Sequence, residues 1–343
     1  MLNFCIVGTG LMGTRHAHNI FENSRSNLYS VVDTNLQAAK YVAETYGAKI
    51  EPDIYSALND EHVDVVMITS PASSHCELAI SAARAGKAVF CEKPLAENIR
   101  DAEKAITEIS EAGVPSWMGF MKRFEPSHYA LIEAVSSGEI GEIHMVMITN
   151  RDPKLTLLDL MGENHESAPY SLLRESTVHD FDLVRALLLE EPTQVYVEAS
   201  SMVDEKVKAL DEIDSAMLTL KTHSGTLIHI NNYYGACYGY DQRIEVVGSK
   251  GMLRAENGPT TNLVKYTPDG SKHDRLFSGP PDMELFFQHK YEKAYLKELD
   301  LFIDAIESGQ KPVVTVEDGY KAQVMVEASV ESLKTGTVVQ FKL

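Results

Sequence analysis

A short apolar strand, Phe4 to Val7, runs straight into Gly8-Thr9-Gly10-Leu11-Met12-Gly13, and helix-forming residues follow from Arg15. Glycines at this spacing between a strand and a helix leave few folds open. The first allows a tight turn, the second lets backbone approach a pyrophosphate, and the third lets the helix pack closely on the strand. Unpaired N–H groups at the helix start, with the helix dipole behind them, then favour an anion. A second strand, Leu28 to Val32, ends in Asp33, where a carboxylate meets the ribose hydroxyls of a dinucleotide. Thr9, Leu11 and Met12 complete the loop, and Thr34 follows the acid. Asp33 repels a 2′-phosphate and neither Thr34 nor Asn35 supplies a cation, so NAD is expected over NADP.

Helix and strand go on alternating. A helix over Asn35 to Tyr46 closes at Gly47, and a buried strand spans Val63 to Thr69. Ser70-Pro71 breaks that strand before a helix from His75 to Ala85, and Lys87 to Cys91 reads as strand five with Glu92-Lys93-Pro94 at its carboxyl end. A helix over Ile99 to Glu111 and a strand near Trp117 to Phe120 complete six parallel strands, a doubly wound Rossmann sheet. From about Phe124 the pattern turns to period two, with segments at 142–149, 194–200, 215–221, 226–234, 243–247 and 263–266. They predict a large, mostly antiparallel open sheet, interrupted by a helix over Ser176 to Leu189 and closed by helices over Tyr291 to Ser308 and Val316 to Lys334. A chain of 343 residues accommodates two domains, expected at 1–122 for NAD binding and at 123–343 for substrate binding and oligomerisation.

Charge narrows the partners. With 31 basic against 50 acidic residues the net charge is -19, which argues against nucleic acid and anionic membranes. The four cysteines show no C-x-x-C spacing, and Cys5 and Cys91 sit in apolar runs as buried thiols would. No signal peptide precedes the first strand and no run reaches the length of a membrane span, so a cytoplasmic protein is expected.

Several side chains are candidates for chemistry. Lys93 stands at the end of strand five, where an α/β sheet opens its ligand crevice. Glu175 and His179 are four apart on one helix and so share a face. They fit two readings, a pair of metal ligands lacking a third at matching spacing, or a proton acceptor and its carboxylate partner. His16 and His18, two apart on the first helix, read as packing or solvent-facing residues, and His75 as a capping or packing one. Asp182 and Arg185 fit a local ion pair, and Tyr233, Tyr234, Tyr238 and Tyr240 a sheet face in a core or interface.

Together these residues resemble the Gfo/Idh/MocA oxidoreductase family, and within it the inositol 2-dehydrogenases. The matching motifs are Gly8-Thr-Gly10-Leu-Met-Gly13, Thr69-Ser-Pro71 with His75, Glu92-Lys93-Pro94, Gly119-Phe-Met-Lys-Arg-Phe-Glu-Pro126, His179-Asp180, the stretch Tyr238 to Gly251, and Asp318-Gly319. The resemblance implies hydride transfer from a ring alcohol carbon to NAD, with no metal, in a homodimer or homotetramer. It implies that Lys93, His179 and Glu175 are catalytic. Ser70, Pro71, His75, Glu92 and Lys93 would join the glycine loop around the cofactor. Met121, Lys122, Asp152 and Tyr238 would join Lys93, Glu175 and His179 around the substrate. Three positions depart from the family pattern. Glu175 stands for the usual Asp, Lys122 for a frequent Arg, and Asn150-Arg151-Asp152-Pro153 for His-Arg-Asn-Pro. The implied substrate is myo-inositol or a close isomer, with another cyclitol, an aminocyclitol or a sugar as the alternative. A non-catalytic NAD-binding protein and an NAD-assisted glycosidase are the other classes consistent with these residues.

Overall fold

The computed structural model describes residues 1–153, 170–188, 190–237, 239–257, 263–267, 270–273 and 290–343. The chain forms two compact units. One comprises Met1–Met121 with Tyr295–Lys321, the other Lys122–Ala294 with Ala322–Leu343.

The first unit is built on six parallel strands: β1 (Leu2–Val7), β2 (Ser26–Val32), β3 (Lys49–Ile50), β4 (Val65–Ile68), β5 (Ala88–Glu92) and β6 (Ser116–Gly119). Their order is β3-β2-β1-β4-β5-β6. Phe4, Cys5 and Ile6, Val65 to Ile68, and Val89 to Cys91 are buried, as strands covered on both faces must be. The crossovers use α1 (Leu11–Glu22), α2 (Leu36–Tyr46), α3 (Ile54–Asn59), α4 (Ala72–Arg84) and α5 (Ile99–Ala112). Asn35 caps α2 and Asn98 caps α5 through their side-chain oxygens, while Gly47 and Gly113 close the same helices in left-handed backbone. Helix α4 starts three residues earlier than the sequence pattern predicts, because Pro71 itself serves as its N-cap. Strand order reverses between β1 and β4, so a ligand crevice belongs at their carboxyl ends, at Gly8 and Ser70.

A 3₁₀ turn (Met121–Phe124) begins on the last residue of the first unit's main segment and leads, in the second unit, into α6 (Pro126–Ser136) and β7 (Ile143–Asp152). A π-helical turn (Leu172–Thr177) runs directly into α7 (Val178–Leu187), so the inserted helix begins earlier than its predicted start at Ser176. There follow β8 (Pro192–Ser200), α8 (Glu205–Ala209), β9 (Ser215–Thr222), β10 (Leu227–Tyr234), β11 (Asp241–Gly248), β12 (Gly251–Ala255), β13 (Leu263–Thr267) and β14 (Gly270–His273). Helices α9 (Glu292–Ser308) and α10 (Val316–Thr335) and strand β15 (Val339–Gln340) end the chain. Among the described residues nine strands form one sheet, ordered β14-β13-β12-β11-β7-β10-β9-β8-β15. The pairings are antiparallel except at the centre, where β7 and β10 run parallel. The prediction of a mostly antiparallel sheet therefore holds, with one parallel pair that no local pattern announces.

Period two sets the faces of this sheet. Val146, Ile148, Asn150 and Asp152 of β7 are buried, as are Ile228, Ile230, Asn232 and Tyr234 of β10 and Gln242, Ile244 and Val246 of β11. The opposite face carries the exposed Met145, Met217 and Leu227. Tyr234 and Tyr240 are buried within the unit and Tyr233 lies on that opposite face, while Tyr238 falls outside the described residues.

Asp182 is fully buried, and Arg123 grips it with both arms, its Nε donating to Oδ2 at 2.6 Å and its Nη2 to Oδ1. Arg185, the partner expected from helical spacing, donates to Glu191. A guanidinium from another element that meets a buried carboxylate with both arms forms a strong bidentate pair. Removing one partner of such a pair strands a buried charge. Arg123→Ala should cost about 3–5 kcal/mol in urea unfolding. Arg185→Ala, whose partner Glu191 is more exposed, should cost under about 1 kcal/mol.

Candidate active site

In the first unit the glycine loop is shaped by close backbone approach. Gly8 adopts φ +96° and a Cβ there would lie 2.6 Å from Ser70 Cα, so the β1 and β4 loops touch directly. A Cβ on Gly13 would collide with the Gly8 carbonyl oxygen, whereas one on Gly10 would meet nothing within 4 Å. Thr69 Oγ1 donates to that Gly8 carbonyl at 2.6 Å and fixes the turn. Gly10 is the N-cap of α1, no side chain caps this helix, and no acidic residue occupies its first turn. An uncapped helix N-terminus beside open space suits a pyrophosphate, so these residues fit a bound dinucleotide. Leu11 is exposed and Met12 half-buried beside it.

Asp33 ends β2 next to the loop. Its Oδ2 accepts from the Thr9 N–H at 2.6 Å and the Thr9 hydroxyl at 2.7 Å, and its Oδ1 from the Asn35 N–H at 2.7 Å. Burial pushes the Asp33 carboxyl up, but these three donors more than offset it and hold the group below its ordinary value. The residue is therefore anionic at neutral pH and tied to the glycine loop. Thr34 is exposed.

The loops after β4 and β5 are joined by His75. Its Nδ1 lies 2.7 Å from the Pro94 carbonyl oxygen and its Nε2 2.7 Å from the Ser70 carbonyl oxygen. His75 is thus a clamp between Ser70-Pro71 and Lys93-Pro94, whose peptide bond is cis, and Lys93 itself is half-buried. Glu92 is buried, and its Oε1 accepts from His16 Nε2 at 2.7 Å. A Cβ on Gly119 would lie 2.8 Å from Glu92 Oε2, so that glycine makes room for the carboxylate. His16, expected only to pack, therefore braces the residue before Lys93 as well as packing on Phe90 and Tyr295.

In the second unit a polar row crosses the buried sheet face. Asn150 of β7 stands opposite both Gln242 of β11 and Asn232 of β10, and Asp152 opposite Tyr234. Gln242 Nε2 donates to Asn150 Oδ1 at 2.6 Å and to Asp152 Oδ1 at 3.0 Å. The π turn and α7 bind to this row. Asp180 Oδ2 accepts from the side-chain amides of Asn150 and Asn232, each at 2.7 Å. Thr177 Oγ1 donates to Asn232 Oδ1 at 2.7 Å, and Asn150 Nδ2 to Ser176 Oγ at 3.0 Å. Lys122 is buried, its Nζ 3.4 Å from Asp180 Oδ1 and 3.1 Å from Gln242 Oε1. The helix start is held from elsewhere in the unit. Tyr170, at φ +67°, and Ser171 both donate their N–H groups to Glu212, whose carboxyl burial pushes up against those bonds. The half-buried Glu175 and the buried His179 ride on the segment thus fixed.

The sequence-predicted residues therefore form two sets, one in each unit. Gly8 to Gly13, Asp33, Ser70, Pro71, His75, Glu92 and Lys93 gather at the carboxyl ends of β1, β2, β4 and β5. Lys122, Asp152, Glu175 and His179 belong to the polar row and its helix. Met121 is buried at the end of the first unit. Gln242, Asn232, Ser176 and Glu212 escape the sequence reading. A signal for two of them, Asn232 and Gln242, exists: a polar residue at an inward position of a strand, with Ile at a neighbouring inward position. Among the described residues no three His, Cys, Asp or Glu side chains gather in a way that would hold a cation.

Comparison with known proteins then decides the family. Residues 2–120 match the oxidoreductase family with an NAD-binding Rossmann fold, and residues 132–341 match its C-terminal alpha/beta domain. The chain belongs to the Gfo/Idh/MocA oxidoreductase family. It is 36% identical to a myo-inositol 2-dehydrogenase of Thermotoga maritima, over 96% of this chain and 95% of that one. It is 35% identical to an inositol 2-dehydrogenase of Rhizobium meliloti over 97% of both chains. Its fold matches the crystal structure of a putative myo-inositol dehydrogenase from Sinorhizobium meliloti with a TM-score of 0.85 at 33% identity, covering 100% of both chains. The first unit accordingly carries the family's NAD-binding sheet, and NAD is the cofactor.

Gly10→Ala and Gly13→Ala separate the two jobs of the loop. Gly10→Ala puts a methyl where only a ligand competes, at φ −68°, so the thermal melt should not move while NADH binding weakens by about tenfold or more. Gly13→Ala forces the loop apart and should cost about 1–3 kcal/mol in stability. Equal melting shifts in the two variants, with NADH fluorescence titrations unchanged, would contradict this reading.

Proposed function

We propose that this protein oxidises a secondary ring hydroxyl of a cyclic polyol with NAD, the ring skeleton being that of myo-inositol or a close stereoisomer. One observation carries the reading. A single chain joins an uncapped helix N-terminus, open at Gly10, to a helix bearing His179 that lies over a row of amide, carboxylate and ammonium groups. Donors and acceptors fixed in one place are what a polyhydroxylated ring demands, because each buried group left unpaired costs about 1–3 kcal/mol. The names carried by relatives alike over nearly the whole chain support the same substrate class.

In this reading residues 1–122 bind NAD and residues 123–343 bind substrate and associate. NAD, when bound, takes the hydride. His179 accepts the hydroxyl proton, Lys93 donates a hydrogen bond to the oxygen as it gains charge, and Glu175 orients the imidazole. Met121, Lys122, Asp152 and Tyr238 shape the substrate's surroundings. Ser70, Pro71 and His75 hold the loops around the cofactor, and Asp33 selects NAD over NADP by charge. Another cyclitol, an aminocyclitol or a sugar is the second reading, favoured by the acid-rich composition of the polar row. We place the protein in the cytoplasm, where its four free cysteines stay reduced; among the described residues no helix is long and apolar enough to cross a membrane.

NADH production over inositol isomers, aldoses, aminocyclitols and glycosides tests the reaction. Turnover with a cyclic polyol is expected, with a higher kcat/KM for NAD than for NADP. Lys93→Ala and His179→Ala should each lower kcat by about two to four orders of magnitude, with NADH binding kept in the His179 variant. Cleavage of a glycoside without NADH would instead indicate a hydrolase, and neither product a binding protein.

The open face of the nine-stranded sheet, with Met145, Met217 and Leu227 exposed, is the surface we assign to self-association as a homodimer or homotetramer. Light scattering at micromolar concentration should give a multiple of the 38.0 kDa chain, and a monomer mass would sink the assignment.

A further inference from the structure

Charges in the polar row do not balance. The ammonium of Lys122 is spent on Asp180 and Gln242, and Asp180 is further satisfied by the amides of Asn150 and Asn232. A second carboxylate, Asp152, lies on the same buried face at the end of β7 and keeps 8% of its surface exposed. Its Oδ1 accepts from Gln242 Nε2 at 3.0 Å and its Oδ2 from Ser176 Oγ at 3.4 Å. Among the described residues no cation comes within ion-pairing distance of it. Two neutral donors, one of them long, compensate poorly for taking a full charge out of water. Around it stand Asp180 from α7, Tyr234 from β10 and Tyr291 just before α9, none of them positive, and Lys122 from the 3₁₀ turn. Burial pushes the Asp152 carboxyl up to about 6; Lys122, Ser176 and Gln242 pull it down and Asp180 adds to the rise. Ser176 also connects Asp152 to the substrate chemistry, since it follows Glu175 and precedes His179 by less than one helical turn.

We propose that Asp152 is a specificity-determining residue that receives an ammonium substituent on the ring, so that the site takes an amino-substituted cyclitol in preference to the neutral polyol. This deepens, and rests on, the cyclic-polyol reading above. An ammonium supplies what Asp152 lacks among the described residues, a cation within ion-pairing distance, whose three donors pair with the carboxylate and reduce its desolvation penalty. A neutral hydroxyl supplies one donor and leaves the charge uncompensated. An asparagine at this position would still accept from a hydroxyl but would give an ammonium no charge to meet.

The test compares kcat/KM with NAD for myo-inositol and for an inosamine, its amino-deoxy analogue, in wild type, Asp152→Asn and Asp152→Glu. Wild type at pH 8 should favour the inosamine. Asp152→Asn should lower kcat/KM for the inosamine by about 10–100-fold more than it lowers the value for inositol, typical of losing a charged hydrogen bond. Asp152→Glu, which keeps the charge, should keep the preference.

A measurement on wild type alone covers the case in which a variant fails to fold. The carboxylate's contribution is present above about pH 6 and lost below it, so the inosamine-to-inositol ratio should fall as pH drops through that value. His179 serves both substrates and cancels in the ratio. Oxidation of inositol with no preference for the inosamine at any pH overturns this proposal and leaves the reaction standing. An equal loss of both substrates in a folded Asp152→Asn also overturns it. Absence of NADH from every cyclic polyol, amino-substituted or not, overturns both.

Discussion

The register of β7 against its two neighbours governs the second unit. Parallel pairing with β10 and antiparallel pairing with β11 set Asn232, Asn150 and Gln242 in one line across the buried face. A one-residue slip of β7 would turn Asn150 and Asp152 to the open face and bring Thr149 and Arg151 inward. The segment carrying Glu175 and His179 would then lose its anchors, because Ser176 and Asp180 bind to Asn150, and Asp180 and Thr177 to Asn232. Val146, Ile148, Ile228, Ile230, Ile244 and Val246 on the same face supply the apolar burial that pins the register. Hydrophobic contact thus decides where the polar groups stand, and the polar groups decide where the helix stands.

The first unit solves the equivalent problem with backbone contact. Gly8 and Ser70 touch because β1 and β4 are neighbours at the point where strand order reverses. Asp33 then fastens to Thr9, and His75 joins the Ser70 and Pro94 carbonyls. Glu92 sits between His16 of α1 and the bare backbone of Gly119 on β6. The loops after β1, β2, β4 and β5 are therefore each tied to another by a short hydrogen bond. Such ties restrict motion where a cofactor's affinity depends on a preformed surface.

Buried charge is handled unequally in the second unit. Arg123 and Asp182 form a closed pair gripped by both guanidinium arms, and Asp180 is surrounded by two amides and an ammonium. Among the described residues Asp152 has only neutral hydrogen-bond donors. Structural carboxylates are satisfied from within the unit, and a carboxylate left short of charge has capacity to meet a ligand.

Local pattern was enough for much of this. Glycine spacing followed by Asp33 determined the dinucleotide loop, since each glycine answers a steric demand that adjacent residues express. Period two determined which face β7, β9, β10 and β11 bury, and the strand ends located Lys93. Partner choice was not legible. That Asp182 pairs with Arg123, that His16 braces Glu92, and that Gln242 stands opposite Asn150 all follow from elements distant in sequence. The return of Tyr295–Lys321 to the first unit and the parallel β7–β10 pair belong to the same class. Dihedral preference and burial period are properties of a few neighbouring residues, so sequence carries them directly. Register, crossover and the neutralisation of a buried charge are settled only when separate segments pack, and here only the tertiary structure decided them.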